Sequence, residues 1–100
     1  LLQMTEPSIA HFKAAIELLN ELLEENPMIA SYRLDQSDAY YALSRSIKVS
    51  GRNAEALEAI EAAIRIVRDP RFPADSGRQE RLAELYKQKR DLLAPNVNAQ

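Results

Sequence analysis

Cysteine is absent from the 100 residues, glycine occurs only twice, and histidine once. Without cysteine there are no disulfides, thiolate metal sites or thiol nucleophiles. The single His11 excludes a His-pair metal site and leaves no second imidazole for a proton relay. Gly51 and Gly77 stand too far apart to form a phosphate-cradling loop. No serine lies in a nucleophile elbow or a lysine-paired motif. Long apolar runs are also missing. None approaches the roughly 20 residues that span a bilayer, so no membrane insertion by this segment is expected. The opening LLQMTEPS has neither the basic start nor the apolar stretch of a signal peptide. Leu1 in place of an initiator Met points to a piece of a longer chain. Charge of one sign is not in large excess either: a net −2 and a pI near 5.4 give no general attraction to nucleic acid.

What the chain does have is apolar residues recurring at 3.6-residue spacing, which predicts an all-α protein of about four helices in a single domain over 1–100. The first helix is expected over 8–25, with Pro7 in its first turn. Ile9, Phe12, Ile16, Leu19 and Leu23 form its stripe, widened by Ala15, Leu18 and Leu22. Asn26-Pro27 ends it, because the residue before proline avoids helical angles. A second helix should start near Ile29 or Ala30 and close at Ser50-Gly51, burying Ile29, Tyr40, Leu43 and Ile47. Gly51 suits a left-handed cap. Asn53 is the expected N-cap of a third helix over 54–68, where Leu57, Ile60, Ile64 and Val67 line one face beside Ala56, Ala59 and Ala63. RDPRFPADSG reads as a two-proline loop. A fourth helix over 76–93 carries Leu82, Leu85, Tyr86, Leu92 and Leu93, and APNVNAQ reads as a frayed tail.

Charged residues offer little chemistry. Carboxylate pairs such as Glu21/Glu25 and Glu58/Glu61 fall on exposed helix faces, not in a cleft that would push two pKa values apart. Arg78, Arg81, Lys87, Lys89 and Arg90 crowd the last helix, but Glu80, Glu84 and Asp91 interrupt them and no aromatic stacking platform accompanies them. No nucleic-acid site is therefore expected. Residues 1–36 hold six acids against two bases, whereas 71–100 hold six bases against four acids. That polarity could orient self-association; the simpler reading is solvated helix faces.

The chain repeats itself. At an offset of 41, Ala15 meets Ala56, Ile16 meets Leu57, Glu17 meets Glu58, Leu19 meets Ile60 and Leu23 meets Ile64, and both segments run to a nearby proline. From 37 to 70 the series Tyr40, Leu43, Ile47, Gly51, Ala56, Ile60, Ala63 and Pro70 resembles the tetratricopeptide repeat. Ser44 stands where that family usually has glycine, Ile47 and Ile60 replace aromatics, and Pro70 falls two residues late. Asn26-Pro27, Tyr32-Arg33, Asp35, Asp38, Leu43 and Gly51-Arg52 are also similar to longer-helix repeats appended to bacterial serine/threonine kinases. The resemblance implies antiparallel helix-turn-helix repeats. Segment 8–25 would be the second helix of a preceding repeat, 29–70 a full helix pair, and 76–93 a terminal capping helix.

Spacings of three, four and three place Asp38, Tyr41, Arg45 and Lys48 on one face of the second helix. In tetratricopeptide repeats the inner face of each pair's first helix lines a peptide-holding groove. The resemblance therefore implies that these four form a peptide-binding face: Tyr41 for apolar contact, Arg45 and Lys48 for an acidic side chain or terminal carboxylate. The lysine and asparagine pattern of the family's carboxylate-clamp members is missing, and the bland alternative is a solvated polar face. The expected function is a non-catalytic protein–protein interaction scaffold without metal or cofactor. The alternative is a self-association module forming a homodimer.

Overall fold

The computed structural model describes residues 2–74 and 77–93, with side chains from Glu6 onward. Over these residues the chain is all-α, with helices α1 (Leu2–Glu25), α2 (Ala30–Val49), α3 (Asn53–Arg68) and α4 (Arg78–Leu93). Each packs chiefly on its neighbour in sequence: α1 on α2, α2 on α3, α3 on α4. The turns at 26–29 and 50–52 are short enough to fold successive helices back on each other. The expected tail at 94–100 and Ser76, the expected start of the last helix, lie outside the described residues.

α1 begins earlier than the sequence suggested. Pro7 sits inside the helix, not in its first turn, and its missing N–H costs the Gln3 carbonyl a helical partner. Ile9 and Ile16 are buried and Phe12 packs against the core, so the expected stripe does face α2. Leu18, on the widened side of that stripe, is 57% exposed. Ile29 was expected in the core and is exposed instead. It occupies the N-cap of α2 in extended backbone, before the turn that would swing its side chain inward. Arg33 takes the buried place, donating from Nη2 to the Pro27 carbonyl at 3.0 Å.

The α2–α3 turn follows from Gly51. Its φ of +86° is the left-handed conformation that glycine adopts without penalty. The Gly51 N–H reaches the Lys48 carbonyl at 2.9 Å and the Arg52 N–H reaches that of Ile47 at 3.3 Å. This is the paired closure of a Schellman motif. It brings the chain into α3 one residue sooner than expected, so Asn53 is the first helical residue and Arg52, not Asn53, is the N-cap.

At the α2–α3 seam Ala56, Ile60 and Ala63 are fully buried, with Ala59, Ile64 and Val67 beside them. Leu57 is only half-buried. The small alanines let the backbones approach, and the branched residues fill what remains. Ser44, the departure from the repeat pattern, is also fully buried, and its hydroxyl donates to the Ala56 carbonyl of α3 at 2.8 Å. A serine fits where glycine is usual because its one polar group is satisfied by the facing helix. Ser44→Ala should cost about 0.5–1.5 kcal/mol in urea unfolding, the net worth of one hydrogen bond. A neutral result would show that the bond adds nothing to the seam.

The described part of the α3–α4 loop, residues 69–74, contributes to the core. Phe72, which the sequence reading left in the loop, is 1% exposed. Its N–H donates to the Asp69 carbonyl at 2.9 Å. The guanidinium groups of Arg78 and Arg81 each lie 6.0 Å from its ring centre. Arg78 Nη2 donates to the carbonyls of Asp69, at 3.2 Å, and of Phe72. The same device therefore occurs twice. Arg33 and Arg78 each reach a loop carbonyl six residues back, Pro27 in one case and Phe72 in the other. The arginine lies in the first turn of its helix in both cases, fourth in α2 and first in α4.

Candidate functional site

The four residues singled out on α2 do share a face, and that face looks toward α4. Asp38, Arg45 and Lys48 are exposed and Tyr41 is half-buried. Tyr41, Arg45, Lys48 and Val49 form the α2 wall of an open cleft of about 460 Å³. Glu84, Lys87, Gln88 and Asp91 form the α4 wall. Spacing by three and four on each helix sets these residues in two facing rows.

Asp38 stands slightly apart. It is ion-paired to Arg81 of α4, and with Tyr41, Glu84 and Leu85 the pair lines a smaller, more apolar hollow of about 160 Å³. Asp38 would lower the positive charge of the face, and Arg81 neutralises it. Tyr41 donates its hydroxyl to Glu84 Oε2 at 3.4 Å, and the Arg45 guanidinium lies 5.8 Å from the Tyr41 ring centre. Arg45 and Lys48 make no ion pair among the described residues. The cleft thus offers an aromatic edge beside two cations that lack an ionic partner, a combination suited to an acidic group on an extended chain.

Gln88 was missed by sequence reasoning. It is buried at the cleft wall, and its Nε2 has no hydrogen-bond partner. A signal did exist: Gln88 falls between Leu85 and Leu92 at core-facing spacing, where a polar residue is out of place.

The other candidates stay where simple physics puts them. His11 is exposed, its ring edge-on to Phe12 at 5.5 Å. Glu21, Glu25 and Glu58 are exposed, and Glu61 pairs with Lys89 of α4 at 3.4 Å. Of the five bases on the last helix, Arg78, Arg81 and Lys89 are engaged within the fold. No group of three or more carboxylate or imidazole side chains among the described residues could hold a metal ion. No helix among them is long and apolar enough to cross a membrane.

Among the described residues the one strongly perturbed carboxyl, that of Asp69, is not part of the α2–α4 cleft. Asp69 accepts Arg71 Nε at 2.9 Å and Nη2 at 2.8 Å in a fork, and also the Arg71 backbone N–H at 2.8 Å. The hydrogen bonds from the Arg71 side chain, then that from its backbone, hold the carboxyl well below the usual aspartate range. The same fork raises the Arg71 guanidinium.

Comparison with known proteins returned no match to a family model, a curated protein or a solved structure. The tandem helical hairpin is the class that the fold itself defines.

Proposed function

We propose that this chain is a non-catalytic protein–protein interaction scaffold of tetratricopeptide type, one module of a larger bacterial protein, with a peptide held between α2 and α4. The observation that carries this reading is the cleft itself. Tyr41, Arg45 and Lys48 converge on it from α2, and both cations are left without an ionic partner among the described residues. The repeated arginine-to-loop bond adds support, because it is what corresponding helices of successive hairpins would share. Corresponding helices in such an array line one common surface. Self-association through α1 is the weaker reading. Leu18 is the only large apolar residue strongly exposed among its described side chains, and Glu17 and Glu21 flank it.

The test compares proteins captured from native lysate by the immobilised chain and by its Arg45→Glu/Lys48→Glu variant. Both side chains are exposed, so helicity measured by circular dichroism should not change. Partners that use the cleft should bind about tenfold or more weakly once its positive charge is reversed. An identical set of partners at identical affinity would remove the cleft from consideration.

A further inference from the structure

A second cleft lies on another side of the molecule, where the C-terminal ends of α1 and α3 meet the N-terminal half of α2. It measures about 350 Å³ and gathers three arginines: Arg33 from α2, Arg65 from α3 and Arg71 from the loop after α3. Asp69 is the single acid in its lining, and the Arg71 fork already occupies that carboxylate. Three positive charges against one leave a local excess of two in a protein whose net charge is −2.

The three arginines differ in how far they are committed. Arg33 is only 8% exposed, yet it makes one hydrogen bond, from Nη2 to Pro27, and no ion pair. A guanidinium has five N–H donors in a fixed fork, so Arg33 keeps donors that the fold does not use, and the Asp69 carboxylate acts on it only at longer range. Arg65 is exposed, and its side chain makes no hydrogen bond or ion pair among the described residues. Arg71 is pinned by Asp69, which sets its guanidinium at the rim before any ligand arrives. Gln36 and Tyr40 add polar groups to the same wall, though Gln36 already donates to Asn20 Oδ1 at 2.6 Å.

We infer that this arginine-lined cleft binds a phosphate group, held by Arg33 at the base and by Arg65 and Arg71 at the rim. Its net charge of plus two matches a phosphate dianion, whereas a carboxylate would leave one charge unanswered. Guanidinium groups from three segments lining one cleft suit a tetrahedral oxyanion with several acceptor oxygens. The volume leaves space for part of the molecule that carries the phosphate. Inorganic phosphate and a phosphorylated side chain share this chemistry. The site is separate from the α2–α4 cleft and does not depend on what binds there.

Titration of the whole chain with sodium phosphate, at ionic strength held constant with sodium chloride, tests the site by NMR of the arginine Nε–Hε resonances. Saturable shifts are expected at Arg33, Arg65 and Arg71, and none at Arg45. Arg65→Gln, an exposed change that leaves the fold intact, should weaken binding about fivefold or more. A parallel titration with N-acetyl-phosphoserine amide identifies the source. Tighter binding than inorganic phosphate assigns a phosphorylated polypeptide, and weaker binding assigns the free ion. The proposal is overturned if the shifts do not saturate, if acetate produces them with equal affinity, or if Arg65→Gln binds phosphate as the parent chain does.

Discussion

Phe72→Ala should remove about 3–5 kcal/mol of stability, a large share of the roughly 5–15 kcal/mol that holds a domain of this size together. Among the described residues of the α3–α4 loop, Phe72 is the only large side chain buried completely, and two arginines of α4 lie against its ring. Removing the ring opens a cavity beneath α4 and deprives both guanidinium groups of their contact with its face. Thermal unfolding followed by circular dichroism should show the midpoint falling by more than about 10 °C. A fall of only a degree or two would mean that the loop closes over the gap and that α4 is held by its own leucines.

Ile60→Ala should cost about 2–5 kcal/mol for a different reason. Ile60 is fully buried, and its neighbours one turn away on the same face, Ala56 and Ala63, are too small to extend into the space left behind. Collapse of the site would require the α2 and α3 backbones to move together, and their close approach already limits that motion. Urea unfolding should show a lower midpoint with an unchanged denaturant slope. The matching change at Leu57, half-buried at the edge of the same helix, should cost clearly less. Equal losses at the two positions would mean that α3 is rotated from the orientation described.

Much of the architecture was legible in the sequence because periodicity and turn chemistry agree. α3 was the clearest case: alternating alanine and branched residues, a glycine before it and an aspartate-proline after it, place its buried face and both ends within a residue. α2 was harder. It lies between α1 and α3, and its buried positions include Arg33, Ser37 and Ser44, which no hydrophobic pattern marks. Ser37 bonds back to the Leu34 carbonyl of its own helix, and Ser44 to the Ala56 carbonyl of α3, a partner that appears only once the chain is folded. Phe72 was hidden for another reason. Two prolines around it signal a turn, and a turn says nothing about which way its side chains point.

The α2–α4 cleft shows the same division. One wall could be read from spacing within a single helix, and Asp38, Tyr41, Arg45 and Lys48 do lie on that side. The opposite wall could not, because Glu84 and Gln88 meet Tyr41 only across a long sequence separation. The arginine cleft was less visible still. Its three cations come from two helices and a loop, and each alone resembles an ordinary surface charge.

The arginine that reaches back six residues has a consequence for how such an array can lengthen or diverge. It fixes the start of a helix against its own preceding loop, and the loop carbonyl it needs belongs to proline in one case and phenylalanine in the other. Any residue can offer a carbonyl, so the joint places no demand on side-chain identity there. Spacers of unequal length can then separate copies of the hairpin without misaligning them. Duplication followed by small insertions would leave the stacking surface undisturbed while the outer contours drift.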